Sequence, residues 1–150
     1  MKWSYTFLLL TAVLTTSCVS TKSTLQNVDD NAPVPKLADN AFVLTNVSTD
    51  KKYGYDPDYP INVFYQNVKD EKINQQRFLQ ALAGPNGENI VFNKVETCCP
   101  FPTKRNPMGV GLLDVYQVTW QGNPSPIRLY LKKKEKGVLM APVGFTLKKK

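Results

Sequence analysis

CCPFPTKRNPMGVGLLDVYQVTWQGNPSPIRLY, residues 98–130, is the stretch whose reading decides the fold. Leu112 to Gln121 alternates with a period of two. Leu112, Asp114, Tyr116, Val118 and Trp120 fall on one face, and Leu113, Val115, Gln117 and Thr119 on the other. Successive side chains of a strand point to opposite faces, and both faces here are partly apolar, so the spacing predicts a central strand. Gly122-Asn123-Pro124-Ser125-Pro126 turns the chain into a partner strand, Ile127 to Leu131, where Ile127, Leu129 and Leu131 share a face. Upstream, Pro100, Pro102, Pro107 and Gly109 predict an irregular loop over 100–110, because proline fixes φ and removes a ladder donor.

The flanking elements follow the same logic. Asn86-Gly87 supplies a turn into a strand over Asn89 to Thr97 that leads to Cys98. Before it, Asn74 suits a helix N-cap, Ile73 can staple onto Phe78, and Phe78, Leu79 and Leu82 make a buried stripe. Gly84 stands where a left-handed C-terminal cap would be and Pro85 forbids continuation, which predicts a helix over 75–83. Ala41 to Val47, Ile61 to Tyr65 and Val138 to Met140 read as further strands, with strand character resuming at Phe145-Thr146-Leu147. The expected fold class is α+β: a single small domain over residues 40–150, mainly antiparallel sheet with one short helix packed on it. About 110 residues hold one modest core and fall short of the roughly 250 that a (β/α)₈ barrel needs.

The amino terminus is not domain. Lys2, then Tyr5 to Leu14, then Leu14-Thr15-Thr16-Ser17-Cys18 read as a charged region, an apolar region and a small-residue cleavage site. About ten apolar residues are too few to span a bilayer, for which roughly 20 are needed. The run ending at Cys18 resembles the lipobox of bacterial lipoproteins in a loose form, with Thr15 where leucine is usual. The resemblance implies a signal peptide over 1–17 and lipidation of Cys18, hence export to the cell envelope and attachment to a membrane. Val19 after the cysteine, with no acidic residue, implies outer-membrane sorting facing the periplasm. Residues 18–39 are polar and aperiodic and predict a flexible tether reaching about 26 Å.

Removing Lys2 leaves 18 of the 19 basic residues against 12 acidic ones, a formal charge of +6. Lys132, Lys133, Lys134, Lys136, Lys148, Lys149 and Lys150 account for seven of the positive charges. Such a cluster can touch anionic lipid headgroups or acidic polymers, although solvated turns and a frayed tail are the plainer reading. No motif points to nucleic acid.

Few residues suggest chemistry. Cys98-Cys99 admits a vicinal disulfide or a thiol-exchange role. Adjacent extended residues point to opposite sides, however, so the residues favour thiols simply packed at a strand end. A metal site is not expected, since no histidine, CxxC or third thiolate is at hand, and no cofactor is implied. Asp114 lies mid-strand, where an unpaired carboxylate is expensive. Arg77, Arg105 and Arg128 are the cations expected to reach it, and with Lys104 they make a candidate anion or ligand pocket. Tyr53, Tyr55 and Tyr59, interleaved with Asp56 and Asp58, are a candidate aromatic binding face for a sugar-like ligand or another envelope protein. With no histidine, no GxSxG elbow and no Gly-rich phosphate loop, the residues lean away from catalysis and name no catalytic group.

From about residue 53 onward, YGYDPDYPINV, QRFLQALAGPNGE, CCPFPT, GLLDVYQVTW and PVGFTLKK resemble a family of small bacterial lipoproteins of unknown function. Some members carry the name 2-dehydro-3-deoxyphosphooctonate aldolase. That resemblance implies an aldolase or synthase acting on phosphosugars, with Arg77, Arg105 and Arg128, or Lys104, converging on an anion.

Overall fold

The computed structural model describes residues 23–64 and 69–149. The signal peptide, Cys18 and the expected strand end at Tyr65 lie outside the described residues. Within them the chain forms β1 (Leu37–Ala38), β2 (Ala41–Phe42), β3 (Ile61–Asn62), α1 (Ile73–Leu79), β4 (Leu82–Ala83), β5 (Ile90–Pro102), β6 (Val110–Trp120), β7 (Ile127–Lys132) and β8 (Thr146–Leu147). The fold is α+β, mainly antiparallel sheet with one helix. The main sheet runs β3-β7-β6-β5, and in it only β3 and β7 pair in parallel. Two-stranded ladders β1-β2 and β4-β8 complete it.

β6 is central, as its two apolar faces require, and each face serves a different cluster. Tyr116 and Val118, with Leu129 and Leu131 of β7, meet Phe78 and Leu79 of α1 together with Tyr53 and Ile61. On the opposite face Leu113 packs with Phe101 and Leu25, edged by Val28, Cys99 and Tyr130. Residues 23–39, expected as part of a flexible tether, therefore pack on the domain, and Leu25 and Val28 cover the second face of the sheet. Leu25 and Ala32 are buried. Gln26 N donates to Asp58 O at 2.9 Å, and Asp29 N donates to Lys136 O at 2.8 Å. The Asn62 side-chain amide donates to the Asn27 side chain at 3.0 Å. Uncovered, this face would leave Leu113 and Phe101 in water, and burying each such side chain stabilises by about 1.5–3 kcal/mol. That is enough to order a short polar segment carrying a leucine at the right place.

The helix departs from expectation at both ends. It starts at Ile73 rather than 75, with Lys72 as N-cap and no side-chain cap. The opening turn comes from Asp70, whose carboxylate accepts the Lys72 N–H at 2.9 Å. Asn74, expected as the cap, is buried inside the helix and accepts from Arg77 Nη1 at 3.2 Å. The helix stops at Leu79 because Leu82 and Ala83 pair with Leu147 and Thr146, so Gly84 follows a strand and caps nothing. The strand expected over 41–47 shortens to β2 plus a lone bridge from Val47 to Ala141, and 138–140 forms no strand.

β5 is longer than expected, running through the cysteine pair to Pro102. Its ladder with β6 slips twice, between Lys94 and Glu96 and between Cys98 and Phe101. At the second slip Cys98 and Cys99 are joined by a disulfide, in place of the free thiols that strand geometry favours. The bulge supplies the reason. Cys99 takes φ +60°, the left-handed region, which swings the two side chains to one side of the backbone.

Candidate functional site

The chemistry-bearing side chains gather at one end of the sheet, where β5 ends, β6 begins and β7 leaves. The turn between β5 and β6 is built by its own polar residues. Thr103 N donates to Gly109 O at 3.0 Å and Gly109 N to Asn106 O at 2.8 Å. Asn106 accepts from Met108 N at 3.0 Å and donates to Val110 O at 2.7 Å. Gly109 sits at φ +71°, where a side chain would be strained. Gly111 has a different task. A Cβ there would lie 2.6 Å from the ring of Phe101, so glycine alone lets that ring lie across β6.

Above the Phe101 ring, 5.0 Å from its centre, stands the ammonium of Lys132, a residue only 5% exposed. Its Nζ donates to Leu112 O at 2.8 Å. Burial pulls its pKa below the usual lysine value. Glu135 and Asp114 oppose that shift, while Lys133 and Lys134 add to it. Both carboxylates are held by other partners. Asp114 meets Lys94 at 2.5 Å and accepts from Thr97 Oγ1 at 3.1 Å and Gln75 Nε2 at 3.0 Å. Burial alone would raise its pKa, but the hydrogen bonds from Lys94, Gln75 and Thr97 and the charge of Lys94 outweigh it and hold the carboxyl below its usual range. Gln75 in turn accepts from the Tyr116 hydroxyl at 3.0 Å, and the Tyr116 pKa is pushed up to about 12, chiefly by burial. Glu135 accepts from Thr103 Oγ1 at 2.5 Å and from Arg105 Nε at 3.1 Å. Arg105 also pairs with Asp30 and lies over the Phe64 ring at 5.5 Å.

Thr97, Thr103 and Asp114 border a cleft of about 390 Å³ into which Lys94, Arg105, Lys132, Lys133 and Lys134 all face. Lys133 and Lys134 share Glu71, at 3.9 and 3.1 Å. The rim is apolar where the turn rises. Met108 is 85% exposed, Leu112 48% and Val110 46%. A smaller cleft of about 280 Å³ adjoins it across Thr103 and Arg105 and is bordered by Ser23, Leu25 and Lys104.

The sequence-derived candidates divide accordingly. Arg105 and Asp114 border the main cleft, and Lys104 borders its neighbour. Arg77 is elsewhere, bound to Asn74 and Asn40, and Arg128 pairs with Glu96 at 2.7 Å. The cation on Asp114 is Lys94, not any of the three arginines expected there. Lys94 and Glu135 were not among the candidates, and Lys132 was singled out only as a member of the lysine cluster, not as a residue of this pocket. The tyrosines present no open aromatic face. Tyr53 is buried, donates to Val138 O at 3.2 Å and packs edge-on against Tyr59 at 6.0 Å. Tyr55 donates to Val143 O at 2.5 Å, and burial raises its pKa. They serve the core because residues 53–59 fold back onto Ile61, Pro142 and the 138–143 segment.

Among the described residues no group of three or more metal-ligating side chains comes together, and no helix is long and apolar enough to cross a membrane. No protein-family model, curated protein or solved structure matches the chain.

Proposed function

We propose that this protein is a lipid-anchored component of a bacterial cell envelope, held by acylated Cys18, and that it works as a binding module for an anionic group. The anchor is supported by the Leu14 to Cys18 run behind a short apolar leader. The binding role is carried by one observation: Lys132, buried beneath the cleft floor with Leu112 O as its hydrogen-bond acceptor, while Asp114 and Glu135 are satisfied by other side chains. A buried ammonium is costly unless it is paired and fully hydrogen-bonded, and an anion entering the cleft would complete its set of partners. The phosphosugar aldolase implied by the family resemblance has weaker support, since Arg77 and Arg128 stand apart from this cleft.

Two measurements test the reading. Cys18→Ser should abolish fatty-acid labelling, and a labelled Cys18→Ser protein would refute the anchor. Lys132→Met should stay folded, with stability within about 1 kcal/mol of the parent because burying a charge roughly cancels what it gains. It should also lose the thermal upshift that inorganic phosphate gives the parent. An unchanged phosphate response in Lys132→Met would refute the site.

A second reading is favoured by the Cys98–Cys99 bond. In it the pair is the oxidised half of a thiol couple that a dithiol partner reduces, taking two electrons and two protons to give two free thiols. Alkylation with mass spectrometry, before and after mild reduction, tests it. A bond that no dithiol reductant opens under native conditions removes it.

A further inference from the structure

We infer that the lysine-ringed end of the sheet docks on the anionic surface of the bilayer that holds the chain, with Met108 entering the interface and the cleft receiving lipid phosphate. The inference rests on the anchored reading above and names the source of the anion.

Chain length carries the first step. The described residues begin at Ser23, which borders the same small cleft as Thr103, Lys104 and Arg105. Four residues lie between Cys18 and Ser23, which makes five Cα–Cα steps. At 3.3–3.6 Å per residue the leash is at most ~18 Å. Because residues 23–39 lie on the domain, they add nothing to that reach. The end of the sheet carrying Lys104 and Arg105 is thus the end kept at the membrane, within about two Debye lengths of it at physiological salt.

Surface chemistry carries the second. Around the two adjoining clefts stand six cations, Lys94, Lys104, Arg105, Lys132, Lys133 and Lys134, against the four carboxylates Asp30, Glu71, Asp114 and Glu135. The excess is positive, the sign an anionic leaflet attracts. Beside them the turn lifts Met108 into solvent at 85% exposure, with Leu112 and Val110 half exposed behind it. An apolar tip flanked by lysines is the arrangement that lies well in a headgroup region, where stems and methyls enter and ammonium groups stay wet.

The test uses a chain starting at residue 19. It has no acylation site, yet it keeps every element and both apolar clusters described above. Its co-sedimentation is measured with vesicles of phosphatidylcholine alone and of phosphatidylcholine with phosphatidylglycerol. We expect partition onto the anionic vesicles at least ~10-fold above the neutral ones, falling steeply as salt screens the charges. Lys104→Glu with Lys134→Glu should lower it ~10-fold or more, and Met108→Asp should lower it as well. The control is Lys148→Glu with Lys149→Glu, which changes net charge equally on a separate groove beside Phe42 and Ala81. Equal partition onto both vesicle types overturns docking, and so does a control that loses as much binding as the cleft variant. Phosphate stabilisation without vesicle binding sinks the docking and leaves the anion site standing. Loss of both removes the site, and fatty-acid labelling of Cys18 reports on the anchor separately.

Discussion

Asp114 is ionised in the middle of a sheet because a slip in the ladder arranges partners for it. Lys94 stands opposite Tyr116, and a regular ladder from there would set Glu96 opposite Asp114, two like charges face to face. The extra residue at Val95 moves Thr97 into that place, and its hydroxyl hydrogen-bonds the carboxylate at 3.1 Å. The folded-state pKa of Asp114 lies below its ordinary value. A carboxyl depressed in this way contributes stability that is present above its unfolded pKa, about 3.9, and lost as pH falls through the folded value. Urea unfolding from pH 6 down to pH 2 should therefore show parent stability falling on the acid side. Asp114→Asn should be about 1–3 kcal/mol less stable at pH 6, with part of that acid dependence gone. An Asn variant whose stability declines with acid as steeply as the parent's would show that the carboxylate is not held by these partners. Sequence alone could place the carboxylate on a strand but not choose its cation, because the choice depends on a slip that leaves no mark in composition or periodicity.

Among the elements, those set by local alternation were legible and those set by distant partners were not. β6 and β7 fall close to where the period-two pattern puts them, since that pattern is a property of each strand by itself. The C-terminal end of α1 does not. Leu82 and Ala83 belong equally to a helical stripe and a strand, and only pairing with β8, more than 60 residues later, decides between them. The irregular loop expected over 100–110 begins three residues late because the cysteine bulge absorbs the prolines while β5 continues. A bond between neighbouring residues closes almost no loop, so it restricts the unfolded chain little. Cys98→Ser with Cys99→Ser should accordingly change global stability by no more than about 1 kcal/mol. Backbone chemical shifts should move over 96–101 and across the ladder at 111–113, as the left-handed Cys99 is released. A loss of several kcal/mol would show instead that the bond braces the Leu25–Phe101–Leu113 cluster, and a silent spectrum would mean that the bulge exists without it.

For the molecule as a whole, the boundary between tether and domain sets where function can sit. Composition put that boundary near residue 40, because residues 19–39 are polar and show no period. One leucine at the right distance along a polar run leaves no such signature, yet Leu25 closes the second face of the sheet. Asp30 reaches Arg105, and Asn27 reaches Asn62, from the same segment. The clefts at the sheet end are thus bordered in part by residues that precede the apparent domain. Two truncations separate the alternatives. A chain starting at residue 19 should unfold in one cooperative transition. A chain starting at residue 40 loses the burial of Leu25 and Ala32, the Asp30 pair and β1. It should melt lower by on the order of 10 °C, taking about 2–3 kcal/mol lost and a few degrees per kcal/mol for a domain of this size. It should also bind a hydrophobic dye through the bared Leu113 and Phe101. Equal melting temperatures for the two chains would return residues 23–39 to the role of a loose leash, and with it the freedom of the domain to stand away from the membrane.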